Sequence, residues 1–468
     1  MAFHSFTAPT ANYTDPAQQG AVATPPSIAA DPNRLLKKGI WAYFLLLIFE
    51  GALRKWFLPG LASPLLLVRD PIAVWLIVMT WRRGLLPANP YLSGIVVVGV
   101  LGVFTAVFFG HGSLPVALYG ARILLFHFPL MFVIGRLFDQ EDVIRMGKAL
   151  LWIAVPMTVL IALQFYSPQS AWVNRGVGGN MEGAGFSGSG DYFRPPGTFA
   201  FTNGLTLFYS LLAPFVLYFW LNQRGINRLL LLTATVALLA AIPLSISRGL
   251  FFQVGTTLIF TVLAIARKPK YLGKMLAASI GTVVVLLILS KTSFFQTATE
   301  AFLARFETGS EHEGGLQGTL GNRYLGGLLQ PIYEAFQQPF FGHGIGMGTN
   351  VANSLLGMGD GSLYSVIPEG EWGRLVGELG PLMGLTVIFI RLGLSLKIAL
   401  ASYHRLALND LLPWLLLSAG LLAVPQAQWA QPTSLGFSTL IGGLMLAALR
   451  SPAPESRNYQ QLTLATNS

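Results

Sequence analysis

The sequence predicts an all-α fold, a polytopic transmembrane bundle of about 12 spans with a large extracytoplasmic loop containing interfacial helices. Three observations predict it. Of 468 residues, 53% are hydrophobic and only 11% charged, whereas about a quarter of a soluble domain is charged. Mean hydropathy is +0.58. Apolar runs of about 20 residues, the length that crosses a bilayer, recur along the chain. The 51 glycines and 28 prolines suit membrane helices, where both are commoner than in soluble ones. Composition thus excludes a soluble multidomain enzyme, a disordered chain and a fibrous repeat.

In chain order, residues 1–33 are rich in Ala, Thr, Pro, Ser and Gln and nearly free of large apolar side chains. Such a segment buries too little surface to order itself, so it reads as a disordered cytoplasmic tail. No secretory leader is expected, because the first Lys or Arg is Arg34 and an apolar run follows only after it. About nine spans fall within 34–290, near 39–58, 64–81, 92–109, 114–134, 149–166, 199–221, 229–245, 250–266 and 272–289. An outer loop, 167–197, interrupts them, and a large extracytoplasmic loop occupies 291–376. Three C-terminal spans, near 379–396, 411–427 and 435–449, fill 377–450, and a second cytoplasmic tail closes the chain at 451–468. In the large loop Tyr324, Leu325, Leu328, Leu329, Ile332, Tyr333 and Phe336 recur at helical spacing. They predict one apolar face, lying in the membrane interface or packed on the bundle.

Charge sets the orientation. Thirty Lys and Arg against 20 Asp and Glu give a net +10, but the cations sit in short loops between apolar runs, which marks topology rather than nucleic-acid binding. With the N-terminus inside, eighteen of the thirty fall in inner segments: Arg34, Lys37, Lys38; Arg82, Arg83; Arg136, Arg145, Lys148; Arg224, Arg228; Arg267, Lys268, Lys270, Lys274; Lys397, Arg405; Arg450, Arg457. Both termini are therefore expected in the cytoplasm. The chain has no cysteine, and its six histidines are scattered. Disulfides, thiolate catalysis and Cys-ligated metals are excluded, and no metal or other cofactor is expected.

The remaining cations mostly lie at the outer surface or within spans, where an ionised side chain costs at least ~2.5–3.5 kcal/mol and needs a partner or a task. Arg54, Lys55, Arg69, Arg122, Arg194, Arg248, Arg323 and Arg374 stand out. Glu50 lies one helical turn before Arg54, so those two can pair, and Asp70 can orient Arg69. Arg194, before Pro195-Pro196-Gly197, has only Asp191 as a near acid. Arg248, in Ser245-Ile246-Ser247-Arg248-Gly249, has none close in sequence. Guanidinium planes grip phosphate oxygens bidentately and stay charged at any working pH. Such arginines point to a phosphate or pyrophosphate ligand, the alternative being caps on helix carbonyls.

These segments resemble a family. The run from Arg194 to Gly204, Arg-Pro-Pro-Gly-Thr-Phe-Ala-Phe-Thr-Asn-Gly, resembles the Arg-x-x-Gly-Thr-Phe-x-x-x-Asn signature of bacterial O-antigen ligases and polymerases. Ser247-Arg248-Gly249 resembles that family's Ser-Arg-Gly turn. Asn322-Arg323-Tyr324 and the loop from Pro339 to Gly348 are similar to its Arg-led helix and Gly-x-Gly-x-Gly loop, and Glu378-Leu379-Gly380 to its Glu-x-Gly motif. Four ordered matches span roughly 191–396. Glu50 to Trp56 and Arg69-Asp70 also resemble exopolysaccharide-associated members. Where ligase members carry a His-Asn pair before Glu-x-Gly, this chain has Glu369 and Gly370.

The resemblance implies metal-independent glycosyl transfer on the outer face of the bacterial cytoplasmic membrane. The donor is a polyprenyl-pyrophosphate-linked oligosaccharide, and the acceptor is another glycan. Membrane lipid, a chain-length regulator and a flippase are implied partners. Arg194, Arg248 and Arg323 are the expected pyrophosphate-binding residues, with Glu369 or Glu371 as the base that deprotonates the acceptor hydroxyl. Arg69, Arg122, His343 and Arg374 are further candidates. Gly342, Gly344, Gly346 and Gly348 are expected to let backbone approach sugar or phosphate. The missing His favours polymerisation over ligase-type transfer to a lipid or protein. A lipid-linked-oligosaccharide flippase or carrier is the alternative of another class, and a non-catalytic scaffold a third. The two halves of the chain lack the matched repeats typical of carriers.

Overall fold

A computed structural model of the chain describes residues 31–222, 225–267, 291–313, 326–357 and 370–450, with isolated positions at 272–273, 276, 280–281, 284 and 367. Residues 1–30 of the expected first tail, the expected second tail and most of the expected span at 272–289 lie outside the described residues, as do Arg323 and Glu369.

The described residues are mostly helical. Strand is confined to one hairpin, β1 (Ser187–Ser189) with β2 (Tyr192–Phe193). Eight helical segments are long and apolar enough to cross a membrane: Pro64–Arg82, Pro90–Phe108, Leu114–Leu137, Gln140–Tyr166, Thr202–Leu221, Arg248–Arg267, Glu371–Ala407 and Pro432–Arg450. Two shorter apolar helices, Arg228–Leu244 and Leu411–Ala423, coincide with two more expected spans. The first expected span is α1 (Arg34–Ala52), prolonged by a π turn (Leu53–Phe57).

The elements that position the site follow. Helices α2 (Asp70–Arg82) and α3 (Pro90–Phe108) precede α4 (Leu114–Arg122), which runs through a π turn into α5 (Phe128–Leu137). Helix α6 (Gln140–Tyr166) starts on a capping box in which the Asp139 and Asp142 side chains each accept from the other's backbone N–H. Then come α7 (Thr202–Leu221), α8 (Arg228–Leu244) and α9 (Arg248–Arg267). After α10 (Ser293–Glu313), α11 (Gly327–Tyr333) and α12 (Ala352–Leu356) lie α13 (Glu371–Ala407), α14 (Leu411–Ala423) and α15 (Pro432–Arg450).

The core centres on the last helix. Gly442 and Gly443 of α15 admit Met131 and Ile134 of α5, and Gly135 of α5 admits Leu446. Small residues on facing sides let two membrane helices approach closely, where packing rather than the hydrophobic effect drives association. Among the described residues, Lys37, Arg83 and Arg450, three of the cations expected in inner loops, gather at one end of the bundle. Lys37 pairs with Asp142 at 2.7 Å, Arg83 donates to the Pro32 carbonyl, and Arg450 donates to those of Gly135 and Phe138. The opposite end holds the 167–201 loop, the turn between α8 and α9, α10 and the start of α13.

The expected single apolar face around 324–336 divides. Leu328 and Ile332 pack on the core, whereas Leu329, Tyr333 and Phe336 are exposed; positions 324 and 325 lie outside the described residues.

Candidate functional site

The hairpin β1–β2 ends at Arg194, whose backbone N–H donates to the Phe186 carbonyl. The following Pro195-Pro196-Gly197 corner turns the chain into α7, and Gly197 adopts φ 62, a conformation open to glycine at little cost. Helix α9 begins at Arg248, and Thr206 of α7 hydrogen-bonds Ser247 at 3.0 Å, which ties that turn to the mouth of α7. Helix α10 crosses the start of α9 through contacts of Phe302 and Phe306 with Phe251, and of Phe306 with Phe252. Its Arg305 donates to the Gly188 carbonyl in β1 at 2.7 Å. Three guanidinium groups, Arg194, Arg248 and Arg305, thereby converge on one corner.

Burial foremost, then the neighbouring charges of Arg305 and Arg248, depresses the pKa of Arg194. Its Nε is buried without a hydrogen-bond partner, and among the described residues no carboxylate pairs with it. A cation held against two others, with an unfilled donor, favours an anion with several acceptor oxygens. Sequence reasoning nominated Arg194 and Arg248 but missed Arg305. That residue lies on a helix of mixed polarity, where nothing separates it from an ordinary solvated cation.

Of the other nominated cations, Arg54, Arg69, Arg122 and Arg374 are neutralised within the fold. Arg69 pairs with Glu50 at 3.0 Å, and Glu50 also accepts from Arg54 at 3.4 Å. Asp70, expected to orient Arg69, instead takes Arg122 at 2.8 Å and His127 at 2.9 Å, and Tyr43 hydrogen-bonds the other imidazole nitrogen. The sequence separation of these partners hid the exchange.

Glu371 is not free to act as a base. One carboxylate oxygen accepts from Arg374 and Arg391, each at 2.7 Å; the other accepts from Arg374 at 3.1 Å and from the Trp429 backbone at 3.0 Å. Four donors occupy about all that a carboxylate can accept. Arg374 also holds Glu378 at 2.6 Å. Arg374 and Glu371 are thus buried structural ions at the head of α13.

The Gly-rich loop is likewise filled by protein. Helix α13 breaks at Gly380 (φ 75), which frees the carbonyls of Gly377 and Glu378 to accept from the backbones of His343 and Gly344. A Cβ at Gly342 would meet Glu378 backbone at 2.5 Å, one at Gly344 the Ala106 Cα at 3.1 Å, one at Gly346 the Val116 carbonyl at 2.2 Å, and one at Gly348 the Arg374 side chain at 2.6 Å. In the fold these glycines admit the close approach of α3, α4 and α13. His343 is half-buried, which lowers its pKa.

Fold and site together describe a helical protein with apolar, membrane-length helices and an arginine-lined corner at one end. Compared with known proteins, the chain matches no protein-family model and no curated protein. Among the described residues no cluster of His, Asp or Glu could hold a metal ion.

Proposed function

We propose that this chain polymerises polyprenyl-pyrophosphate-linked oligosaccharide repeat units into a cell-surface polysaccharide. The reaction takes place on the outer face of the cytoplasmic membrane, in a bundle of about twelve spans with both termini inside. The observation that carries the reading is the convergence of Arg194, Arg248 and Arg305, with the Arg194 Nε unfilled. The resemblance of the 194–204 and 247–249 segments to O-antigen ligases and polymerases supports it from the sequence side.

The chemistry is a single displacement. An acceptor hydroxyl attacks the anomeric carbon of the donor sugar while the bond from that carbon to the pyrophosphate oxygen breaks. Polyprenyl pyrophosphate leaves, and the hydroxyl proton passes to Glu369. The three arginines bear the charge that grows on the leaving oxygens. Removing one preorganised donor to a developing anion can cost about 2.7–4 kcal/mol in the transition state. Glu371 supports the frame rather than the proton transfer.

The test is polymer growth in cells and in proteoliposomes. Arg194→Ala, Arg248→Ala and Arg305→Ala are each expected to cut turnover about 100-fold or more at normal membrane abundance. Normal polymer length in all three removes the clamp. Movement of preformed donor across the bilayer without new glycosidic bonds would identify a carrier instead, and product built on a lipid acceptor in a single step a ligase.

A further inference from the structure

Lys55 is a buried lysine that the proposed reaction does not use. It is 1% exposed and sits in the π turn Leu53–Phe57 that prolongs α1. The Leu58 N–H reaches back five residues to the Leu53 carbonyl, and the widened turn buries Arg54 and Lys55 together. Arg54 pairs with Glu50. Among the described residues Lys55 pairs with no carboxylate; its Nζ donates to the Gly197 carbonyl at 2.6 Å and lies 4.5 Å from the Trp56 ring centre. A lysine so deeply buried without a counterion is costly to keep and calls for a specific task.

That carbonyl belongs to the corner that starts at Arg194. Gln164 grips the same residue from α6, donating to the Gly197 carbonyl at 3.2 Å and accepting from the Gly197 N–H at 2.8 Å. Thr198 donates to the Ile48 carbonyl of α1 at 2.6 Å, and a Cβ on Gly51 would come within 2.4 Å of the Thr198 carbonyl. The corner is therefore seated on α1 with the Lys55 Nζ as a buried donor to its carbonyl.

We infer that Lys55 is a positioning residue, which through Gly197 holds the Arg194 guanidinium in register with Arg248 and Arg305. The inference rests on the pyrophosphate-clamp reading. The experiment measures binding of polyprenyl pyrophosphate to the purified full-length protein in nanodiscs, with unphosphorylated polyprenol as the control. Lys55→Met is expected to weaken pyrophosphate binding about tenfold, the loss of one buried hydrogen bond, and to leave polyprenol binding unchanged. Lys55→Arg restores most of the loss. In an Arg194→Ala background Lys55→Met costs nothing further, because the two act as one unit. If Lys55→Met fails to accumulate, Gln164→Leu removes the other donor to the same carbonyl and carries the same expectation.

Wild-type affinity in Lys55→Met, or a full additive loss in the double variant, overturns the positioning role. Wild-type affinity in Arg194→Ala overturns the clamp itself, so the two failures are distinct.

Discussion

At the scale of single residues, Arg69, Arg122, Arg374 and Arg391 pair with carboxylates in the fold, whereas Arg194 has a buried donor left over and, among the described residues, no carboxylate partner. Glu371 is the sharpest case of the first kind. Glu371→Ala leaves Arg374 and Arg391 buried without it, and removal of one partner from a buried pair costs about 3–5 kcal/mol. The purified variant is expected to melt well below wild type and to accumulate poorly. Arg194→Ala breaks no ion pair among the described residues, so its melting temperature is expected to match wild type while polymer growth stops. A Glu371→Ala protein of full stability would show that the four-donor arrangement is not structural. Both residues are an acid or a base near a span in the sequence. Only the partners, 3 to 58 positions away for Glu371, distinguish their roles.

At the scale of elements, glycine and capping chemistry govern how segments meet. Gly346 (φ 100) has Val116 backbone 2.2 Å from where a Cβ would sit, whereas Gly357 (φ 64) faces open space. Gly346→Ala is expected to reduce folded protein strongly and Gly357→Ala only by the small backbone cost of its φ; size-exclusion profiles of the two variants check this. The pattern of glycines was legible in the sequence, but not its purpose, because a close approach to protein and one to ligand demand the same missing Cβ.

The cap of α6 carries a pH dependence. Burial raises the pKa of Asp139, but hydrogen bonds from the backbones of Asp142 and Glu141 and the charge of Lys37 outweigh it, so the pKa lies below its ordinary value. A depressed folded pKa contributes stability that is present above the unfolded value and is lost as pH falls through the folded one. Asp139→Ala is expected to cost about 1 kcal/mol at pH 7 and nothing once the wild-type carboxyl is protonated. Thermal melts of both proteins from pH 7 to pH 3 measure the convergence.

At the scale of the whole molecule, the bundle sorts its cations by end. Lys37, Arg83, Arg405 and Arg450 tie helix ends and backbone carbonyls together at one end, and the arginine corner lies at the other. If the first end is cytoplasmic, alkaline phosphatase fused within 167–197 is active, and a green fluorescent protein fused after 450 glows. The reverse pattern would invert the molecule and place the arginines inside the cell.

Apolar length and charge spacing alone determined that this chain forms membrane-length helices and where most begin and end, since a helix in lipid satisfies its own backbone and needs only its own residues to specify it. Arg194 and Arg248 were legible for a similar reason: few acids stand near them along the chain. Ion-pair partners were decided by tertiary structure. Glu50 reaches Arg69 across 19 residues, Asp70 reaches Arg122 across 52, and Arg305 reaches Gly188 across 117. Coulombic and hydrogen-bond energies depend on distance in space, and only the packing of the helices sets that distance.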